Sequence, residues 1–455
     1  MPATRPRAAL ALAGALLAAC ARPAPPRPSI VVVLVDQLRA DTAERHLSGV
    51  MRLAGRGVVA TRMRAAAPWT YPSVIGLMTG LYPQQHGAGG HVEAKVLSSF
   101  DPALPLLPKV LRAAGYRTAA FVANPFFQDF NPFSRSFDHY DIGFVGYQGS
   151  RIGDGKGVWT ERMFADSVNA AVRAHAALGP PRGPEFTYVH YMDVHGPWGG
   201  APFISEGLLE RTGLSPAQRA PGSPVPWGPE AEKAFYEAAA AYVDQRVLEL
   251  YELFHARYAG NLVFIVTSDH GRALLDDESV GDGLPLRRNK RSLHDFNLRV
   301  PFVVLPGLGV PGPVRVEAPC SNVDVYPTLL DWLGLEAPHA LPGRSLLPAF
   351  RGGTADGARA LFASVSFDGY RSEAVVQGEA KLVRWLEPRG ETEKARRVYD
   401  LAGDPRELAT LRGEPAGLSD ELRRAALDHG VRFAATFPGL SPEQLERLRS
   451  VGYLR

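Results

Sequence analysis

Two cysteines in 455 residues, Cys20 and Cys320, leave too little for a disulfide framework. The formal net charge is only +3, too small to argue for nucleic acid or another polyanionic partner. The apolar run near the N-terminus, about 12 residues, falls short of the roughly 20 that a membrane-crossing helix needs. No internal repeat is visible. What is present is ordinary globular material: 45% hydrophobic and 21% charged residues, ample for a core. Length alone suggests two or three domains, although large α/β enzymes often exceed that prior.

The N-terminus is informative. Met1–Arg7 is basic, Ala8–Leu17 is apolar, and Leu17-Ala18-Ala19-Cys20 follows. A charged start, a short apolar run and small residues make a secretory signal. Leu-Ala-Ala-Cys resembles the bacterial lipobox, which implies that Cys20 becomes the lipidated first residue; an ordinary signal with a chance cysteine is the alternative. Residues 1–19 then form a signal peptide, and the proline-rich stretch 20–28 an extended tether. The expectation is an exported protein, lipid-anchored to the bacterial cell envelope and facing the periplasm or the surface. Cys320 is left without a partner and is expected to be a buried core thiol.

Ser29–Val35, SIVVVLV, is a continuous β-branched run of the kind found in strands covered on both faces. Further buried strands are expected at Val58–Met63, Thr118–Ala123, Glu185–Met192, Asn261–Val266 and Val300–Leu305. Helices are expected at Leu47–Gly57 (Met51, Leu53 and Ala54 inward), Leu106–Ala114, Thr160–Leu178, Pro229–Tyr258 and Tyr326–Leu333. Ala240, Val243, Val247, Leu250 and Phe254 give the long helix its apolar stripe. Gly199–Gly228, rich in Pro and Gly without a period, reads as an exposed insertion. This alternation argues for an α/β protein with a large, mostly parallel sheet covered by helices on both faces. Past residue 345 the texture changes to short strands and then helices (Ser419–Phe433 and Ser441–Val451), a small C-terminal antiparallel-sheet subdomain. The domain bounds are therefore read as 29–345 and 346–455.

Ala66–Gly87 carries the candidate nucleophile. Thr70 precedes Pro72, and proline is preorganised for the first turn of a helix. Thr70 is thus expected at a helix N-terminus, where unpaired N–H groups favour negative charge. Taken alone, a threonine there is more simply a cap. The stretch resembles the signature of the sulfatases, in the alkaline phosphatase superfamily, where a Cys or Ser converted to formylglycine begins Cys-x-Pro-Ser-Arg-x-x-x-x-Thr-Gly. Thr70 holds the Cys position, Pro72, Ser73, Thr79 and Gly80 match, and Val74 replaces the Arg. Threonine cannot become formylglycine, so none is expected. Val398-Tyr-Asp-Leu with Asp404-Pro-Arg-Glu, and the tail from Ser441, resemble the same family, which extends the likeness from Ser29 to Arg455.

Strand ends supply the remaining groups. Asp36 closes the first strand, Asp193 and His195 follow another, and Asp269-His270 follow a third. Carboxylates with one imidazole suit a divalent cation: Zn²⁺, Mn²⁺, Mg²⁺ or Ca²⁺. The resemblance implies Asp36, Asp269 and His270 as metal ligands and, through an Asp-x-His-x-Pro match, His195 as the histidine that holds the anion or the leaving group. Asp193 is read as substrate-binding beside it. Lys290, in a match to Lys-x-[Ser/Thr]-x-[Tyr/His]-[Glu/Asp] that allows a shift of one residue, is implied as catalytic, with Arg291 substrate-binding. Three departures stand out. Gln37 replaces a second Asp as a weaker, neutral ligand, Asn124 stands where the family has a lysine, and Val74 removes an arginine.

These observations lead to a metal-dependent hydrolase of sulfate or phosphate esters attacked in line by Thr70. The substrate would be a small molecule or an envelope glycan or lipid ester. A phosphodiesterase or envelope head-group phosphotransferase with the same site is a second reading, because a phosphorylated threonine is readily turned over. A non-catalytic binding lipoprotein is a third.

Overall fold

The computed structural model describes residues 26–91, 96–98, 100–127, 132–142, 164–180, 182–196, 198, 201–214, 228–274, 292–354, 357, 359–367, 370–387, 392–411 and 413. Cys20, Lys290, Arg291 and the two C-terminal helices expected from sequence lie outside them.

The main sheet has eight strands: β1 (Ser29–Val35), β2 (Val58–Ala60), β3 (Arg117–Val122), β4 (His139–Ile142), β5 (Glu185–Tyr191), β6 (Leu262–Thr267), β7 (Phe302–Leu305) and β8 (Val314–Val316). Their order is β8-β2-β7-β6-β1-β5-β3-β4. β1 sits between β5 and β6 and is parallel to both, as its unbroken buried run demands. β7 alone runs against the others, antiparallel to both β6 and β2.

Alternation along β1 divides the core. Ile30, Val32 and Leu34 pack on one face, beneath the helix Thr70–Thr79, while Val31, Val33 and Val35 pack on the other. That second face is covered by α1 (Ser48–Ala54), α3 (Ala165–Ala176) and α4 (Pro229–Arg257), with the Thr70–Thr79 helix counted as α2. The expected stripe of α4, from Ala240 to Phe254, is buried. Asp244 of α4 accepts the N–H groups of Gly49 and Val50 at 2.8 Å each, which satisfies orphan donors at the start of α1.

One expectation needs correction. Val58–Met63 is not one strand: after β2 the chain turns at Thr61-Arg62, and Met63–Arg64 pairs with Cys320–Ser321 instead. Of the residues expected to face inward on α1, Ala54 is fully buried and Met51 and Leu53 are half-buried against the same core, where Val50 joins them. Cys320 is buried and free, its thiol pushed up to about 12 chiefly by burial.

The small sheet is an antiparallel meander of β9 (Leu361–Phe367), β10 (Tyr370–Gln377), β11 (Ala380–Leu386) and β12 (Glu393–Asp400). It is tied to the main body by a buried charge cluster. Arg64 donates to both oxygens of Asp295 (3.1 and 2.6 Å), and Lys381 Nζ reaches Asp295 at 3.0 Å and Glu407 at 2.7 Å. Among the described residues no helix is long and apolar enough to cross a membrane.

Candidate active site

Four neighbouring strands, β6, β1, β5 and β3, end side by side and deliver the site from their carboxyl ends, the usual place in open α/β sheets. β1 delivers Asp36, β3 delivers Asn124, β5 carries His190 near its end, and β6 runs into Ser268-Asp269-His270. Across the gap above them stands the first residue of α2, Thr70, as the Thr-x-Pro spacing implies. α2 is wholly buried and closes at Gly80, whose φ of 71° suits a glycine. Ser73 Oγ pins this helix to the β6 turn by donating to the Asp269 carbonyl at 2.5 Å, and Asn322 Nδ2 donates to Ser73 Oγ at 2.8 Å.

Thr70, Asp36, Asp269 and His270 are all fully buried. Thr70 Oγ1 donates to Asp36 Oδ2 at 3.3 Å and lies 3.4 Å from His270 Nε2. His270 Nδ1 is 2.7 Å from the Gly271 carbonyl, which can only accept, so Nδ1 carries a proton and Nε2 is the ring atom turned toward Thr70 and the carboxylates. Asp36 Oδ2 accepts from Asn124 Nδ2 (2.7 Å) and from His190 Nε2 (3.2 Å), whose Nδ1 faces the Tyr188 hydroxyl at 3.0 Å. Asp269 Oδ1 accepts the N–H groups of Gln37 (3.1 Å) and His270 (2.8 Å).

The donor set fits a divalent cation. One atom each of Asp36, Asp269 and His270 lies within 4.8 Å of the others. The remaining carboxylate oxygens, Asp36 Oδ1 and Asp269 Oδ2, are buried with no hydrogen-bond partner among the described residues. Two buried carboxylates side by side are costly unless a positive charge joins them. Burial raises the Asp36 pKa, but the His190 hydrogen bond and the charges of His195, His190 and His270 outweigh it and hold it well below the usual carboxylate range. Asp269 is raised, by burial first and by the charge of Asp36 second.

Other candidates fall elsewhere. His195 sits in the turn after β5, half-buried, with Nδ1 donating to the Gly196 carbonyl at 2.7 Å. Asp193 Oδ1 accepts the N–H of Ala165, the first residue of α3, at 3.1 Å. This oxygen holds the start of α3. Gln37 is not turned toward the cation site. Its φ of 61° sends the side chain to Arg272, whose Nη1 donates to Oε1 at 3.1 Å. Val74, in place of the arginine, is packed in the core. His190 carries no signal in the sequence, since inside a buried strand it reads as one more core position. Asn124 reads there as a lost lysine rather than as a donor.

Comparison with known proteins bears on the family and the fold. The family model described as "Sulfatase" matches residues 28–335, and "N-sulphoglucosamine sulphohydrolase, C-terminal" matches residues 288–425. Arylsulfatase K of Bos taurus is 32% identical over 120 residues, 26% of this chain and 20% of that protein. The ulvan-active sulfatase of Formosa agariphila is 23% identical over 357 residues, 71% of this chain and 65% of that protein. The chain thus matches a fifth of the first relative and just under two thirds of the second. A solved phosphonate monoester hydrolase from Silicibacter pomeroyi has the same fold, with a TM-score of 0.66 at 19% identity over 89% of this chain and 95% of that one.

Proposed function

Because this chain belongs to the sulfatase family, we propose that it hydrolyses sulfate or phosphate esters with the help of a divalent cation and with Thr70 as nucleophile. The observation that carries this reading is Thr70 Oγ1, at the start of a buried helix and within 3.4 Å of both Asp36 and His270. A cation held by Asp36, Asp269 and His270 would supply charge neutralisation for the anionic ester and lower the pKa of a neighbouring hydroxyl.

The chain's own residues do the rest. Thr70 Oγ1 attacks the phosphorus or sulfur in line, its bond to the central atom forming as the bond to the leaving alkoxide breaks. The Thr70 proton faces Asp36 Oδ2. Asn124 and His190 fix that oxygen from two other strands. His195 holds a nonbridging oxygen or gives a proton to the departing alkoxide. Lys290 and Arg291 would stabilise the anion. Water then attacks the Thr70 ester and restores the hydroxyl.

Threonine favours phosphoryl over sulfuryl transfer. A formylglycine hydrate can expel sulfate by reforming its carbonyl; Thr70 has no second hydroxyl and needs direct attack by water at the central atom. Phosphodiesterase or envelope head-group transferase activity is therefore the second reading. We read the mature protein as lipid-anchored through Cys20.

The test compares release of nitrophenol from an aryl sulfate, a phosphate monoester and a phosphodiester, with Zn²⁺, Mn²⁺, Mg²⁺ or Ca²⁺ added in turn. Thr70→Ala is expected to lose activity by about 10³-fold or more, since a covalent route is removed. A Thr70→Ala protein with full activity overturns the reading.

A further inference from the structure

Arg272 directly follows the Asp269-His270-Gly271 turn, and its guanidinium joins groups that come from separate parts of the fold. Nη1 donates to the backbone carbonyl of His195 at 2.7 Å and to Gln37 Oε1 at 3.1 Å. Nη2 donates to Glu232 Oε1, near the start of α4, at 2.5 Å. The guanidinium carbon lies 5.2 Å from the centre of the Trp198 ring. Arg272 and Glu232 are only 16% and 13% exposed, so this ion pair is shielded from bulk water.

Gln37 is locked from three sides. Its N–H donates to Asp269 Oδ1, its carbonyl accepts from the Tyr236 hydroxyl at 2.7 Å, and its amide oxygen accepts from Arg272. A non-glycine residue at φ 61° persists where its surroundings over-determine it, and here three contacts from two segments, the turn after β6 and α4, do so. Through Arg272 Nη1 the residue after Asp36 and the His195 turn share one donor group. The two turns are thereby held in a fixed relation across the site.

We propose that Arg272 is a positioning residue for His195: it sets where the imidazole stands relative to the Thr70 nucleophile without touching the ester. The inference rests on the role given to His195 above. Only a planar fork can serve His195, Gln37 and Glu232 while lying on an indole; an ammonium keeps the charge but not the geometry.

The test is a double-mutant cycle on the full-length, cation-loaded protein, with whichever nitrophenyl ester the wild type turns over. Arg272→Lys should lower kcat by about 10- to 100-fold, the scale expected of a misplacement near 1 Å, with KM within about twofold. Its melting temperature should hold, because the charge opposite Glu232 remains. Combined with His195→Ala, the same substitution should cost less than about threefold, because its only route of action is gone. Glu232→Gln, a milder loosening of the same clamp, should show a smaller kcat loss that also vanishes in the His195→Ala background. It decides the matter if Arg272→Lys does not fold. Equal losses in both backgrounds, or an unchanged kcat, overturn the inference and leave the functional reading standing. A His195→Ala protein as active as the wild type, or a wild type inert to all three esters, overturns that reading and this inference with it.

Discussion

Asn124 Nδ2 donates to Asp36 Oδ2 across 2.7 Å, linking two strand ends that β5 separates in the sheet. Thr70 and His190 address the same oxygen, so three donors converge on Oδ2 while Oδ1 is left open to the cation side. Hydrogen bonds to a charged group contribute about 1.5–3 kcal/mol, so Asn124→Ala should lower kcat by roughly 10- to 150-fold. Metal content should persist, because Asn124 is not itself a ligand. Steady-state kinetics with elemental analysis of the same samples checks both halves.

Removing the cation should destabilise the whole protein. Asp36 and Asp269 stand together, buried, and their repulsion is relieved only when a positive charge joins them. A cation present at 100 times its Kd stabilises the native state by about 2.7 kcal/mol. Chelator treatment should therefore lower the melting temperature, and adding back the right ion should restore it in a concentration-dependent way. Asp269→Asn should abolish that response. A chelated protein with an unchanged melting curve would argue against a metal centre.

Much of this arrangement is legible in the sequence because its signals lie where elements end. SIVVVLV admits little besides a doubly covered strand, so Asp36 stands at a carboxyl end; Thr-x-Pro marks a helix start; Asp269-His270 closes another apolar run. What escapes notice lies inside elements or depends on backbone conformation. His190 occupies a strand position whose period-two face reads as core, although its imidazole reaches Asp36. Gln37 matches a ligand position by type and place, yet a left-handed φ turns it to Arg272. Asp193 reads as substrate-binding beside His195, and the sequence does not show that its Oδ1 accepts the N–H of Ala165, 28 residues earlier. The reversal of β7 is equally hidden, since a four-residue buried run carries no mark of direction.

The charge cluster under the small sheet should be costly to break on one side. Burial raises the Asp295 pKa, but the charges of Arg64 and Lys381 outweigh it and hold the group ionised. Lys381→Met leaves Asp295 and Glu407 buried with one cation, and removal of one partner from such a network costs about 3–5 kcal/mol. Adding Glu407→Gln restores charge balance around Arg64–Asp295 and should recover part of that loss. Denaturant titration of both variants tests the coupling; additive losses would mean that Lys381 acts through packing alone.

Asp193 gives a pH signature of the opposite sign to that of an ordinary paired carboxylate. Burial pushes its pKa up to about 7 against the lesser pull of the Ala165 N–H, and its Oδ2 has no hydrogen-bond partner among the described residues. The unfolded chain releases this proton near the ordinary aspartate value of 3.8, the native chain only near 7. Between those values the native state holds the extra proton, so this group's contribution to stability falls as pH rises and is fully lost above about 7. Asp193→Asn keeps the oxygen that accepts from Ala165 but cannot ionise. The variant should therefore match the wild type only near pH 4 and exceed it by a margin that widens up to about pH 7 and then stays constant. Thermal unfolding of the pair across that range decides it. A difference that does not grow with pH would mean that the Asp193 charge finds compensation in the native protein.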